Sequence, residues 1–456
     1  MSIPQQGNKV IENYQDLVKY LEDGCKPKSQ WRIGTEHEKF GFVLKDKSPL
    51  PYQGECSILS VLEGLRDEFD WQPVYEGENL IGLNKGGANI SLEPGGQIEL
   101  SGAPLETLHE TCDEVNNHLK EVRSIGDRIG AGFMGIGAAP EWMHEQMPVL
   151  PKGRYQLMTD YMRKVGQLGV QMMYRTCTVQ VNLDFSSESD MIKKLRVALA
   201  LQPIATAFFA NSPFFEGKFT NHLSWRSRVW RDLDPDRTGM LPFVFDEGFG
   251  FEAWAEYALD VPMYFVFRDN KYLDARGLSF RDFLKGKLPI LPGELPLDSD
   301  WGDHLTTIFP EARIKRFIEM RGADGGAWGK LCALPAFWVG LLYDQNALDE
   351  AWELVKDFDD ETREGLRVAS SRLGFEGCVG DIKILDLARK VLVIADEGLK
   401  ARARFSSNQQ LVDERHFLNS LWDSLDLKKT PAEELLEKYN GIWRGKLDPI
   451  YEECSY

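Results

Sequence analysis

Glu36 and Glu38 lie two positions apart in TEHEKF (35–40), between an apolar WRIG and an apolar FGFVL. On extended backbone, residues i and i+2 point to the same side, so the two carboxylates would stand together on one face. They would repel each other unless a cation lay between them. The same alternation recurs in three further segments. In TCTVQVNLDF (176–185), Thr178, Gln180, Asn182 and Asp184 oppose Val179, Val181, Leu183 and Phe185. In FIEMRG (317–322), Glu319 and Arg321 oppose Ile318 and Met320. In GGQIELS (95–101), Gln97, Glu99 and Ser101 oppose Ile98 and Leu100. Each strand taken singly reads as the wet outer face of an antiparallel sheet. Taken together, these faces carry Glu, Gln and Asn with almost no Lys. Glu93 and Glu99 also flank Pro94-Gly95-Gly96, a turn where backbone can approach a ligand closely. A shared polar cavity fits both features better than a solvated surface.

The candidate metal ligands in such a cavity are Glu36, Glu38, Glu93, Glu99, Glu319 and the amide of Gln180. Hard oxygen donors suit Mg²⁺ or Mn²⁺, whereas Zn²⁺ would want more His or Cys. Strand parity sends His37 to the opposite face, as a structural residue. Mg²⁺ sites with several carboxylates bridge nucleotide phosphates and offset charge developing in phosphoryl transfer. A basic set accompanies the acidic one. PKGRY (151–155) and SWRSRVWRDLDPDRTG (224–239) hold Arg154, Arg226, Arg228, Arg231 and Arg237. The planar guanidinium matches carboxylate and phosphate bidentately. Asp232, Asp234 and Asp236 lie among these arginines, so most are expected in surface ion pairs and one or two as substrate anchors. GAGFMG (130–135) fits G-x-G-x-x-G but follows a helical pattern, where the dinucleotide fingerprint needs a strand. With no P-loop, H-E-x-x-H or G-x-S-x-G in the chain, ATP would be held by other means.

Elements must bring these residues together. Apolar spacing predicts helices over 8–22, 105–125 and 189–210, with Cys112 on the buried stripe of the second. Strands are predicted at 31–44 and 174–185, a hairpin over 88–101, and further β structure in 261–274 and 313–321. A charged loop runs through 224–239, and the chain turns mainly helical after Ala327. There is no internal repeat and no clear linker. The expected fold is α+β, a single domain over 1–456 around a largely antiparallel sheet, with helices packed outside.

With 53 Lys+Arg against 71 Asp+Glu, the 456-residue chain carries a formal charge of -18. That disfavours nucleic acid and anionic membrane as partners. Seven scattered cysteines form no C-x-x-C pair, which argues against a disulfide framework or zinc site and fits a reducing compartment. The N-terminal MSIPQQGNKVIENYQ lacks a signal-peptide layout, and a cytoplasmic location is expected. The apolar stretches near 197–210 and 331–343 read as buried helices.

The blocks GTEHEKFGF, LEPGGQIELSGAP, PKGRYQLM, RTCTVQVNLDF, DRTGMLPFVF, HLTTIFPEARIKRFIEMRGADGG and LCALPAFWVGLLYD resemble the plant and proteobacterial type of glutamate–cysteine ligase. The likeness runs from about residue 10 to the C-terminal YEECSY. It implies a glutamine-synthetase-like cup whose polar concave face is the active site. It implies ATP-dependent joining of L-glutamate to L-cysteine through a γ-glutamyl phosphate, the first step of glutathione synthesis, with no protein nucleophile. By matched motif positions, Glu36, Glu38, Glu99, Gln180 and Glu319 would be metal-site residues, with Glu93 beside them. Arg154, Thr178 and Arg226 would contact glutamate, Arg321 would meet ATP phosphate, and Arg226 and Arg321 would be the catalytic pair. Partners would be glutamate, cysteine and ATP, and the chain a monomer or homodimer. Cys112 and Cys332 match one regulatory disulfide of plant members, either bonded here or with Cys112 a free thiol. The positions of a second such pair hold Ala275 and Ile290, so that bond cannot form. Competing readings are a related ligase using another amine, a non-catalytic acidic binding protein, and a two-metal phosphohydrolase.

Overall fold

Strand β1 (Ile33–Val43) is the longest strand and the axis of the site, because its two faces are chemically opposite. The computed structural model describes residues 7–405 and 411–456. Among them, β2 (Gln72–Glu76), β3 (Asn79–Lys85), β4 (Ala88–Leu92), β5 (Ile98–Ser101), β6 (Ala131–Met134), β7 (Thr178–Leu183), β8 (Ala312–Ile314) and β9 (Ile318–Asp324) join β1 in one sheet of nine strands. The order is β8-β9-β7-β1-β5-β4-β3-β2, with β6 on the distal half of β1, and every pairing is antiparallel. The sheet is open rather than closed into a barrel, which leaves one broad face for the site.

Apolar residues predicted for the inner side of each strand form the floor of the core. Val179, Val181, Leu183, Ile98, Leu100, Ile318 and Met320 are all buried. On that back face pack α2 (Ile58–Phe69), α3 (Leu108–Ile129), α6 (Glu188–Phe209) and α8 (Ala333–Leu342). Helix α3 is closed by a capping box between Thr107 and Glu110 and ends in Gly130 at φ 78°, a left-handed cap that suits glycine. Helices α6 and α8 are apolar on nearly all sides because they are buried between the sheet and the C-terminal layer of α9 (Gln345–Val355), α10 (Asp360–Leu373) and α11 (Ile384–Arg402). Among the described residues no helix is long and apolar enough to cross a membrane.

Four local expectations are corrected. The first helix, α1, spans Tyr14–Glu22 rather than starting at residue 8, because Asn13 caps it and Val10 bridges to Leu297 instead. Residues expected to open the strand at 174 belong to α5 (Gly169–Arg175); Thr176 Oγ1 donates to Met172 O and ends the helix before β7 begins. The charged loop at 224–239 contains α7 (Trp225–Val229), nucleated by Ser224, whose hydroxyl accepts from Ser227 N. The second helix likewise runs Leu108–Ile129 rather than 105–125, because Thr107 caps it, and the chain after Ala327 is mainly helical.

Candidate active site

The register of the sheet places the polar faces of the separate strands side by side. Glu38 lies directly across from Glu99 on β5, and Glu36 across from both Ser101 on β5 and Gln180 on β7. One strand further, Asn182 faces Glu319 on β9. Cross-strand partners share a face, so Glu36, Glu38, Glu99, Gln180 and Glu319 lie on one surface. That surface is largely buried: Glu36, Glu99 and Glu319 are buried, Glu319 at 0% exposed, and Glu38 is half-buried. The layer above is built by α4 (Gly153–Met162), α5 and α7, which contribute Arg154, Tyr155, Met158, Met172, Met173 and Arg226. A cavity of about 90 Å³ remains between layer and sheet.

The electrostatics divide this face in two. In the cavity wall, Glu38 accepts from Thr178 N at 3.0 Å, Glu99 accepts from Ser91 Oγ at 2.6 Å, and Glu93 accepts from Tyr155 Oη at 3.2 Å. Burial, and then the charges of Glu93 and Glu99, push the Glu38 carboxyl well above the usual range. Burial, with the charges of Glu93 and Glu36, pushes Glu99 up to about 7. Like charges held opposite each other and out of water are costly. Glu319 has the reverse surroundings. Arg313 reaches it bidentately at 2.8 and 2.9 Å, Lys315 lies at 2.8 Å, and Arg321 donates to it as well. Burial opposes its ionisation, but the charges of Arg313, Lys315 and Arg321 hold it well below the usual range.

Three guanidinium groups close the cavity with hydrogen atoms to spare. Arg154 is 4% exposed, and its Nε and Nη1 have no hydrogen-bond partner among the described residues. Arg226 donates from Nη2 to Arg321 O at 2.9 Å, while its Nε has none. Arg321 donates from Nη1 to Gln180 Oε1 at 2.7 Å and keeps a buried, unpartnered Nε. Arg226 and Arg321 lie over the Trp230 ring at 5.1 and 5.7 Å. The peptide nitrogen of Arg226 is fixed by Ser212 Oγ, and Asp324 accepts from Ser212, Ser224 and Asn211 N, so a buried carboxylate sets the start of α7. Orphaned buried N–H groups are rare in proteins and mark a place for an anion.

Most of the residues predicted from the sequence therefore converge, though not all in one wall. Glu38, Glu93, Glu99, Gln180, Thr178, Arg154, Arg226 and Arg321 line the cavity, and Glu36 and Glu319 lie beyond it on the same sheet face. Glu36 accepts from Asn182 Nδ2 at 2.8 Å. Thr178 spends its hydroxyl hydrogen on the strand, donating to Ala323 O at 2.8 Å, so it can offer a ligand only an acceptor. Arg237 is corrected: it is not a surface pair but a fully buried one with Asp234 at 2.6 Å, because both lie under Tyr161 and Tyr264. Arg228 pairs with Asp232 and Arg231 with Glu364, half-exposed as expected. His37 is buried on the back face, as strand parity required. Cys112 on α3 is bonded to Cys332 just before α8, with Cα atoms 5.6 Å apart. Sequence reading missed Arg313, Lys315 and Lys152. The first was legible from alternation in EARIKRFIE, which sets Arg313 opposite Glu319 across a tight turn.

Glu38, Glu93 and Glu99 offer only oxygens and are not neutralised by an ion pair with Lys or Arg within 4.0 Å among the described residues, which fits a hard cation. At Glu36, Gln180 and Glu319 an ion would have to take over oxygens now engaged by Arg321, Asn182 and Arg313. As the side chains stand, no three carboxylate, imidazole or thiol groups among the described residues are gathered as a metal-ligand group.

Comparison with known proteins follows the same lines. A model of glutamate-cysteine ligase family 2 matches residues 32–453. The chloroplastic glutamate–cysteine ligases of Medicago truncatula and Arabidopsis thaliana are each 55% identical over 442 residues, which is 97% of this chain and 85% and 83% of theirs. Glutamate–cysteine ligase B of Oryza sativa subsp. japonica, also chloroplastic, is 54% identical over 97% of this chain and 87% of its own. Among solved structures, a glutamate–cysteine ligase of Francisella tularensis in complex with AMP aligns with TM-score 0.53 at 11% identity, over 90% of this chain and 85% of that one. At that identity the likeness is one of fold, a mixed helical and antiparallel-sheet architecture. The relatives overturn the cytoplasmic expectation, since they are plastid proteins.

Proposed function

The chain belongs to glutamate-cysteine ligase family 2, and from that premise we infer how its buried face joins the γ-carboxylate of L-glutamate to the amine of L-cysteine with cleavage of ATP to ADP and phosphate. The observation that carries the reading is the 90 Å³ cavity in which unpaired guanidinium hydrogens face uncompensated carboxylates. A carboxylate is a poor acyl donor because oxide would have to leave. Transfer of phosphate to the γ-carboxylate gives a mixed anhydride, which the cysteine amine attacks with loss of phosphate. No side-chain nucleophile is needed. Arg154 and Arg226 hold the glutamate carboxylates with their free N–H groups, and the Thr178 oxygen accepts from its ammonium. Arg321, beside Gln180 and Trp230, offers its free Nε to the phosphoryl oxygens and offsets charge that grows during transfer. Met158, Met172 and Met173 exclude water from the anhydride.

Mg²⁺ or Mn²⁺ fits the oxygens of Glu38, Glu93 and Glu99, with a further position at Glu36, Gln180 and Glu319. An ion held by these oxygens would supply positive charge to offset the phosphate chain against the carboxylates. Release of ADP in a coupled assay, measured with glutamate, cysteine and Mg²⁺ each omitted in turn, tests it. Full turnover is expected only with all three. Phosphate release without glutamate would favour a hydrolase, and equal turnover with another amine would move the assignment to a different ligase.

A further inference from the structure

Strands β7 and β9 fall out of step once, and they do so at the site. Met320 pairs with Val181 and Ala323 with Val179, so Arg321 and Gly322 together stand against the single Gln180. Such a bulge re-aims side chains and is favoured beside active sites. Regular alternation would put Arg321 and Asp324 on opposite faces. The extra residue brings both to one face, Arg321 against Gln180 and Asp324 across from Thr178. Gly322 suits the bulge because a Cβ there would run into Glu311 and Gln202.

Arg226 is held at both ends by this stretch of chain. Its Nη2 donates to Arg321 O at 2.9 Å, on the bulge itself. Its peptide N donates to Ser212 Oγ at 3.1 Å, and Ser212 Oγ donates in turn to Asp324 at 2.7 Å. Ser224, which caps α7, repeats the arrangement. It accepts from Ser227 N at 3.0 Å and donates to the other oxygen of Asp324 at 2.7 Å. An ionised carboxylate has no hydrogen to give, so each hydroxyl must spend its one hydrogen on Asp324 and turn its lone pairs to α7. Asn211 N at 2.8 Å completes the set, and Asp324, Ser212 and Ser224 are all buried. Burial lowers the Arg226 guanidinium, and the charge of Asp324 is the first to oppose it.

Asp324 does not line the cavity, so it acts on substrate only through what it holds. We propose that Asp324 is a positioning residue for ligation: through Ser212 and Ser224 it fixes α7 so that the Arg226 guanidinium meets a glutamate carboxylate. The proposal rests on the reading of Arg226 as a glutamate anchor. An amide at 324 would break the polarity of the arrangement. Its oxygen would stay with Asn211 N and Ser212, so the NH2 would fall against Ser224 and donate where Asp324 accepts. Ser224 would then accept on both sides with its hydrogen unplaced, and both hydroxyls would lose the charge that orients them.

Steady-state kinetics on the full chain tests this with Asp324→Asn, Arg226→Ala and the double variant, varying glutamate and ATP separately. Asp324→Asn is expected to raise the glutamate KM at least about fivefold and to leave the ATP KM within about twofold of wild type. In the Arg226→Ala background, Asp324→Asn is expected to add no further rise, because residues acting through one contact are not additive. A carboxylate that only supported the fold would reduce the active enzyme, lowering kcat at an unchanged KM. Ser212→Ala removes one arm and keeps the carboxylate. It should raise the glutamate KM about threefold, and it carries the test if Asp324→Asn does not fold. A wild-type glutamate KM in either Asp324→Asn or Ser212→Ala, or additive rises in the double variant, would overturn the positioning role and leave the anchor reading intact. An unchanged glutamate KM in Arg226→Ala would instead sink the anchor reading, and this proposal with it.

Discussion

Replacing Glu38 with Gln removes one charge from a set that already repels itself, whereas the same change at Glu319 removes the single anion shared by Arg313, Lys315 and Arg321. The two variants should therefore part company. Both are expected to lose ligation by more than about 100-fold, the scale of a lost electrostatic contact at a phosphoryl-transfer site. Glu38→Gln should unfold in urea at or above the wild-type midpoint. Glu319→Gln should lose about 3 kcal/mol, because breaking a buried ion pair leaves uncompensated charge. Equal midpoints would contradict the division of the site into a bare half and a clamped half. Arg226→Ala should act on binding: its Nε is free for substrate, so the glutamate KM should rise at least tenfold, and steady-state kinetics with an unchanged KM would remove Arg226 from the anchor.

At the scale of elements, the Pro94-Gly95-Gly96 turn joins the sheet to the layer above it. A Cβ on Gly95 would come 2.1 Å from Tyr174 O at the end of α5, and Gly96 has φ 80°. Gln97 accepts from Gly95 N and donates to Thr176 O, so turn and helix end are stitched together. Gly95→Ala is expected to cost about 2 kcal/mol or more in urea unfolding, since backbone must move to relieve the clash. It should also lower kcat, because Met172 and Met173 ride on α5. A variant with wild-type stability and rate would show that the close approach is not needed. This turn was legible from its residues, as were the faces of β1, β5, β7 and β9, because alternation has a period the eye can follow. Arg237 was not. A run of Arg and Asp looks the same whether it is wet or dry, and only the aromatic roof of Tyr161 and Tyr264 decides. Helix α5 escaped notice because Met172, Met173 and Tyr174 suit strand and helix alike.

Across the whole molecule, stability should depend on pH through histidines that folding keeps neutral. Burial lowers His304 to about 4 and holds His37 and His118 well below the ordinary value. Their folded pKa values lie below the unfolded ones, so the unfolded chain binds more protons as pH falls below about 6.5. Stability is thus complete above that pH and is lost on acidification, by up to about 3 kcal/mol from His304 alone between pH 6.5 and 4. Urea midpoints at pH 7.5 and 5 should differ accordingly, and a flat profile would mean that these imidazoles accept protons in the folded state. A largely antiparallel sheet with helices after Ala327 was readable from the sequence, since it needs only element types and their order, whereas the cup came from the family resemblance. The 90 Å³ cavity was not, because it depends on how α4, α5 and α7 lean over the sheet. One further consequence comes from β1, where Glu36 and Glu38 look toward the reaction while His37 and Lys39 look into packed interior. A period of two makes this segment intolerant of insertions and deletions: one extra codon ahead of Glu36 would exchange its two faces, sending acids into oil and histidine into the cavity. Among descendants of this gene, β1 can drift in spelling but is locked in length.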